Sequence, residues 1–202
     1  MDTVRHDVHL SAWCVQRQIW GGRLKETKIL LAGSGGQGIL LLGRLIAYGG
    51  MLEGKEVTCF PSYGAEMRGG TANSTVIISD EMIGSPVVRN PDILIVMNDA
   101  SLKRFQSRIK SGGLLLFDSS LIRSPELRSD ICSIGVPTSE IAASIAAAGS
   151  HEKASSPSAS VRSANMVMLG ALIAETGILS EENAMRALEK LTSAARKKNL
   201  EA

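Results

Sequence analysis

Lys28-Ile-Leu-Leu-Ala-Gly-Ser-Gly-Gly-Gln-Gly-Ile39 joins a short apolar run, a cluster of glycines and the start of a second apolar run. The first five residues read as a buried strand. Ile39 to Leu52 reads as a largely apolar helix closed by Gly54. Strand, glycine turn and helix in this order are the first unit of an α/β sheet. Gly33, Gly35 and Gly38 form a GxGxxG pattern at the place where an anion site needs it. Missing side chains let an anion approach the backbone, and the helix N-terminus offers free N–H groups and a positive dipole end. Phosphate or pyrophosphate is the default ligand, and a tight turn that binds nothing is the competing reading. Val at Gly35 is expected to disturb the turn, because a β-branched side chain resists positive φ.

Further strands read at Glu56 to Phe60, Ser74 to Ser79, Ile93 to Met97, Leu114 to Phe117 and Ile131 to Val136. Helices read at about Ala100 to Lys110, from Thr138 as N-cap, over Arg162 to Glu175 and from Ser180. Ala184, Leu188, Leu191 and Ala195 make one apolar stripe on the last helix. The alternation of apolar strands with helices predicts a three-layer α/β sandwich with a mostly parallel, Rossmann-like sheet. Residues 1–24 read as an N-terminal extension and 25–202 as one domain, with a flexible serine-rich loop at 149–160. Trp13 and Trp20 both fall in the extension, which is weakly ordered or docks on a partner through them.

The expected second half of a dinucleotide site is missing. An Asp or Glu should close strand two to hold a ribose. Cys59-Phe-Pro-Ser-Tyr63 stands there instead, and no carboxylate follows before Glu66. Ordinary NAD binding is disfavoured. The loop Pro61-Ser-Tyr-Gly-Ala-Glu-Met-Arg-Gly-Gly-Thr71 occupies the carboxyl end of that strand, where open α/β sheets bind ligands. It offers Ser62, Tyr63, Glu66 and Arg68 as polar contacts. Arg68 suits a bidentate contact to carboxylate or phosphate, or equally a salt bridge to Glu66.

Composition narrows the function. Of 202 residues, 44% are hydrophobic, which rules out general disorder. Three Phe, two Tyr and two Trp are too few for base-stacking platforms, and a net charge of +2 gives no pull toward nucleic acid. Cys14, Cys59 and Cys132 are scattered, which fits a cytoplasmic location and cannot supply the four thiolates of an iron–sulfur cluster. No metal site is read. No stretch reaches the ~18 apolar residues of a membrane span.

The chain from about Lys28 to Arg196 resembles the gamma subunit of the 2-oxoacid:ferredoxin oxidoreductases. The resemblance rests on Gly33-Ser-Gly-Gly-Gln-Gly-Ile39, Glu53 to Thr58, and Pro61 to Ala72. It continues through Ile78-Ser-Asp80, Ser85-Pro86, Pro91 to Asn98, and Asn165-Met-Val-Met-Leu-Gly-Ala171. The 2-oxoglutarate branch is the most similar. The indolepyruvate branch carries Gln where Met67 stands here. The resemblance implies oxidative decarboxylation of a 2-oxoacid, with electrons passing to ferredoxin and the acyl group to coenzyme A. It implies thiamine diphosphate, magnesium and iron–sulfur clusters on alpha, beta and delta, or fused, partner subunits.

This chain has no Gly-Asp-Gly thiamine motif, and His6, His9 and His151 lie in the extension or the serine-rich loop. No catalytic residue is therefore assigned. The expected role is to complete the coenzyme A side through Gly33, Ser34, Gly35, Gly36, Gln37, Gly38, Ser62, Tyr63, Glu66 and Arg68. Met166 to Ile173 is the expected partner-facing helix. Two other readings stay open: a free-standing nucleotide-binding regulatory protein, and a purely structural subunit.

Overall fold

The central strand shows why the sequence reads as it does. In a computed structural model, which describes residues 25–62, 71–149 and 157–200, β1 runs Glu26–Ser34. Ile29 and Leu31 face one apolar cluster, while Leu30 and Ala32 face a second. Both faces of the strand are covered, so its apolar run is continuous. The chain continues as α1 (Ile39–Leu52), β2 (Glu56–Ser62), β3 (Thr71–Ser79), β4 (Ile93–Val96) and α2 (Asp99–Phe105). It ends with β5 (Leu114–Asp118), β6 (Cys132–Val136), α3 (Thr138–Gly149), α4 (Pro157–Thr176) and α5 (Glu181–Leu200). Among the described residues, no helix is long and apolar enough to cross a membrane.

The six strands lie in the order β2-β3-β1-β4-β5-β6. β1, β4, β5 and β6 are mutually parallel, and β3 runs antiparallel to both β1 and β2. The sheet is the expected mostly parallel one, with one reversed strand inserted between β1 and β2. The reason lies in the connection. Eight residues, 63–70, separate β2 from β3, and a parallel crossover needs about a dozen or more. β3 therefore returns as the second arm of a hairpin. α1, α4 and α5 cover one face through Leu42, Met168, Leu172 and Ala187, while Leu102 and Phe105 of α2 cover the other.

Several local expectations are corrected. The helix expected to reach Lys110 stops at Phe105 and continues as a 3₁₀ turn, Gln106–Arg108. Arg128 Nη1 donates to the carbonyls of Gln106 and Ile109 at 3.2 and 2.8 Å, satisfying acceptors that a longer helix would have used. Thr138 does not cap α3: its hydroxyl is buried without a partner. Pro137 supplies the first helical carbonyl, to Ile141 N, and Ser120 Oγ accepts from Glu140 N at 3.2 Å. α4 begins at Pro157, inside the segment read as loop, because Pro suits a first helical turn; residues 150–156 lie outside the described residues. Met168, Leu169 and Leu172 are buried in the chain's own core and are not free to face a partner. On α5, Ala184 is buried and Leu188 and Leu191 pack on the core, as expected for these three members of the stripe, with Ala187 joining them; the side chain of Ala195 lies outside the described residues.

Arg128 also grips Asp130. Its Nε and Nη2 donate to the carboxylate at 2.8 and 2.5 Å, and Ser111 Oγ adds a bond at 2.7 Å. The guanidinium, and then the hydroxyl, hold the Asp130 carboxyl at about 2, below its ordinary 3.8. A folded value below the unfolded one means the contact favours the fold above about pH 4 and loses that contribution as pH falls toward 2. In an NMR titration Asp130 should show its midpoint near that low value. In Arg128→Ala the midpoint should move back up toward 3.8.

Candidate functional site

The glycine turn sits where the two helical layers part. α1 leaves the end of β1 toward one face and α2 leaves the end of β4 toward the other. This divergence opens the crevice in which α/β sheets bind ligands. Ser34 closes β1 and its carbonyl accepts from Gln37 N at 3.2 Å. Positive φ falls on Gly36 (93°) and Gly38 (73°). Gly35 does not carry it, which corrects the expectation for that position. Ser34, Gly35 and Gly36 are exposed, and a Cβ on Gly36 would meet nothing within 4 Å.

Gln37 has a different role from the one the sequence suggests. It is 7% exposed and its side chain is engaged at both ends. Oε1 accepts from Ser34 N at 2.6 Å, and Nε2 donates to Met97 O at 2.8 Å. The side chain pins the turn of β1 to the end of β4. Gly33 makes room for this pin: a Cβ there would lie 2.7 Å from Gln37 Oε1 and 2.9 Å from Ile39 Cδ1. A second tie runs through Asn98, whose Nδ2 donates to Ser34 Oγ at 2.5 Å while its Oδ1 accepts from Ser101 N at 2.7 Å and caps α2.

α1 begins after Gly38 with no side-chain cap and no acidic residue in its first turn. No carboxylate of its own competes there for the free N–H groups, which leaves them for an external acceptor. From 127 residues further along, Asn165 of α4 donates through Nδ2 to Gly38 O at 3.2 Å. A Cβ on Gly38 would lie 2.2 Å from that nitrogen.

The second motif meets the first at this edge. Ser34 pairs with Thr71 across β1 and β3, and Ser62 pairs with Asn73 across β2 and β3. Both ends of the segment 63–70 therefore emerge beside the glycine turn. Tyr63, Glu66 and Arg68 lie outside the described residues. Ser62 is exposed and lines a cleft of about 330 Å³ with Phe60, Asn73, Thr75 and Val87. A larger cleft of about 450 Å³ opens at the opposite end of the sheet. There the Ser180 hydroxyl and amide each bond Glu53 at 2.7 Å and hold its carboxyl below the ordinary range, and Lys55 pairs with Asp80. Its charges answer one another, whereas the helix that starts at the glycine turn has neither a side-chain cap nor an acidic residue in its first turn.

Of the residues expected to form the site, the structure brings Gly33 to Gly38 and Ser62 to one end of the sheet. Asn98 and Asn165 join them unforeseen. The signal for Asn165 was its polarity within an otherwise apolar stretch, Ala164 to Ala174. Among the described residues, no group of three or more His, Cys, Asp or Glu is placed to hold a metal. What this end of the sheet presents is an exposed glycine backbone, the Ser34 hydroxyl and a helix start without a side-chain cap.

The family model for pyruvate ferredoxin/flavodoxin oxidoreductase matches residues 28–202. Subunit VorA of ketoisovalerate oxidoreductase from Methanothermobacter thermautotrophicus is 37% identical over 175 residues, covering 86% of this chain and 33% of VorA. The chain thus spans about a third of the length of that relative. Subunit KorC of 2-oxoglutarate synthase from Methanocaldococcus jannaschii is 37% identical over 184 residues, covering 88% of this chain and 91% of KorC. Among solved structures, 2-oxoglutarate:ferredoxin oxidoreductase from Magnetococcus marinus, with 2-oxoglutarate, coenzyme A and succinyl-CoA bound, aligns with a TM-score of 0.72. That alignment is 27% identical and covers 86% of this chain and 28% of the other.

Proposed function

Because the chain belongs to the pyruvate ferredoxin/flavodoxin oxidoreductase family, we propose that it is the gamma subunit of a cytoplasmic 2-oxoacid:ferredoxin oxidoreductase. Its oxoacid is 2-oxoglutarate and its acyl acceptor is coenzyme A. The net reaction releases carbon dioxide, passes two electrons to ferredoxin and forms succinyl-CoA. Thiamine diphosphate with magnesium, and iron–sulfur clusters, supply the decarboxylation and electron transfer when bound to the alpha, beta and delta partners. This chain's contribution is the coenzyme A side of the shared site.

One observation carries that assignment. The Ser34–Thr71 pair sets the glycine turn beside both ends of the segment that holds Arg68. The residues present suit a phosphate ester. The exposed ledge of Gly35 and Gly36, the Ser34 hydroxyl and the uncapped α1 N-terminus offer N–H donors and a hydroxyl, and the open space over Gly36 lets a ligand reach the backbone. Arg68 supplies the bidentate cation that a phosphate recruits. Likeness to a relative whose solved structure holds coenzyme A and succinyl-CoA supports the same ligand here. KorC, which this chain covers almost end to end, supports 2-oxoglutarate as the oxoacid.

Co-purification with the partner subunits, followed by kinetics of Arg68→Ala in the assembled enzyme, tests this reading. Loss of a charge-assisted phosphate contact should raise KM for coenzyme A about tenfold or more, with kcat and subunit composition kept. An unchanged KM would return Arg68 to a structural role. A native chain that purifies alone would favour the free-standing nucleotide-binding protein.

A further inference from the structure

Asn165 is fully buried on α4, yet its Oδ1 has no hydrogen-bond partner. The orientation of the amide is fixed by chemistry, since only the nitrogen can donate to the Gly38 carbonyl. A buried acceptor left unpaired is uncommon, because its lost hydration is not repaid. This one lies over the N-cap residue of a 14-residue helix that has no side-chain cap of its own. Two independent features thus meet at the start of α1: a first turn with no side-chain cap, and a buried amide bonded to its N-cap carbonyl whose oxygen has no donor.

We propose that Asn165 is a positioning residue of the glycine-turn site. Nδ2 holds the Gly38 carbonyl and so sets the direction of the first-turn N–H groups, and Oδ1 accepts from an N–H or O–H of the ligand whose phosphate those groups bind. The ligand class is a phosphate ester that carries an amide or hydroxyl donor near its phosphate. A bare inorganic anion cannot use Oδ1. The inference rests on the coenzyme A reading and deepens it, since the phosphopantetheine arm has both kinds of donor. It also explains why an Asn interrupts the apolar stretch of α4, where a Leu would pack as well and hydrogen-bond nothing.

The test uses the assembled enzyme and two readouts, coenzyme A binding by calorimetry and the separation of KM from kcat. Asn165→Leu removes donor and acceptor at similar size, and Asn165→Asp keeps acceptors but loses the donor to Gly38 O. Each should weaken coenzyme A binding about tenfold. In the Leu variant, competition by inorganic pyrophosphate should weaken less than binding of coenzyme A. Wild-type affinity in complexes of normal composition would overturn the proposal. If Asn165→Leu does not assemble, Asn165→Asp decides alone. Gly36→Val separates the two levels, because it alters the exposed ledge without touching Asn165. Weakened coenzyme A binding in Gly36→Val with normal binding in the Asn165 variants sinks only the role of Asn165. Normal binding in all of them sinks the coenzyme A reading as well.

Discussion

Gly38→Ala should destabilise the chain more than Gly36→Ala by about 1–3 kcal/mol, although both glycines sit at positive φ. The shared part is the left-handed backbone, which costs an L-residue roughly 1–2 kcal/mol. The difference is space. A Cβ on Gly36 meets nothing within 4 Å, whereas one on Gly38 lies 2.2 Å from Asn165 Nδ2 and 3.0 Å from its Cγ. Asn165 cannot swing clear without giving up the Gly38 carbonyl, and it is fully buried. Relief must come from moving α1 against α4, which disturbs packing shared by Leu42, Met168 and Leu172. Gly38→Val adds β-branching to the same clash and should lose about 3–5 kcal/mol in all. For a domain of this size that lowers Tm by about 10 °C. Thermal and urea unfolding of the three single variants measure the contrast. Equal losses at the two alanine positions would mean that Asn165 does not press on Gly38.

What sequence reveals about this fold depends on how local the cause is. β1, β4 and β5 announce themselves as unbroken apolar runs because both faces of each are covered within the sheet. α1 and its Gly54 stop are equally local. The place of β3 is not, since β2 and β3 have the same apolar, β-branched character in either direction. The legible clue was the length of the 63–70 connection, which is too short for a parallel crossover. The ends of α2 and α3 also escape a local reading. The carbonyls that close one are taken by Arg128, and the N–H that opens the other is taken by Ser120, both from distant loops.

The site divides along the same line. The glycine turn is legible because its shape follows from consecutive residues. The side chains that hold it are not, because Asn98 arrives from 64 residues away and Asn165 from 127. Gln37 shows the sharper limit. A polar residue inside a glycine-rich anion motif invites reading as a ligand contact, and only burial and the positions of Ser34 N and Met97 O reveal that both ends of its amide are already used.

Gln37→Leu should therefore be among the most damaging single changes at this end of the sheet, at about 2–4 kcal/mol. The replacement is apolar and of comparable size, so the loss comes chiefly from hydrogen bonding. It leaves the buried Met97 O without its partner, at about 1–3 kcal/mol, and removes the bond from the part-buried Ser34 N–H, at about 1 kcal/mol more. Ser34→Ala is the control. It removes only the Asn98 tie to an exposed hydroxyl, where water can substitute, and should cost no more than about 1 kcal/mol. The two variants also part in function. Without the Gln37 pin the turn is no longer held to β4 and the ledge loses its preset geometry; under the proposed function coenzyme A must then order it on binding, which raises KM for coenzyme A. Ser34→Ala keeps the pin and loses one hydroxyl contact at most. Denaturant unfolding and coenzyme A kinetics on the same pair of variants check both statements. A Gln37→Leu chain within about 1 kcal/mol of wild type would mean that water reaches Met97 O, and that the turn keeps its shape through glycine and backbone alone.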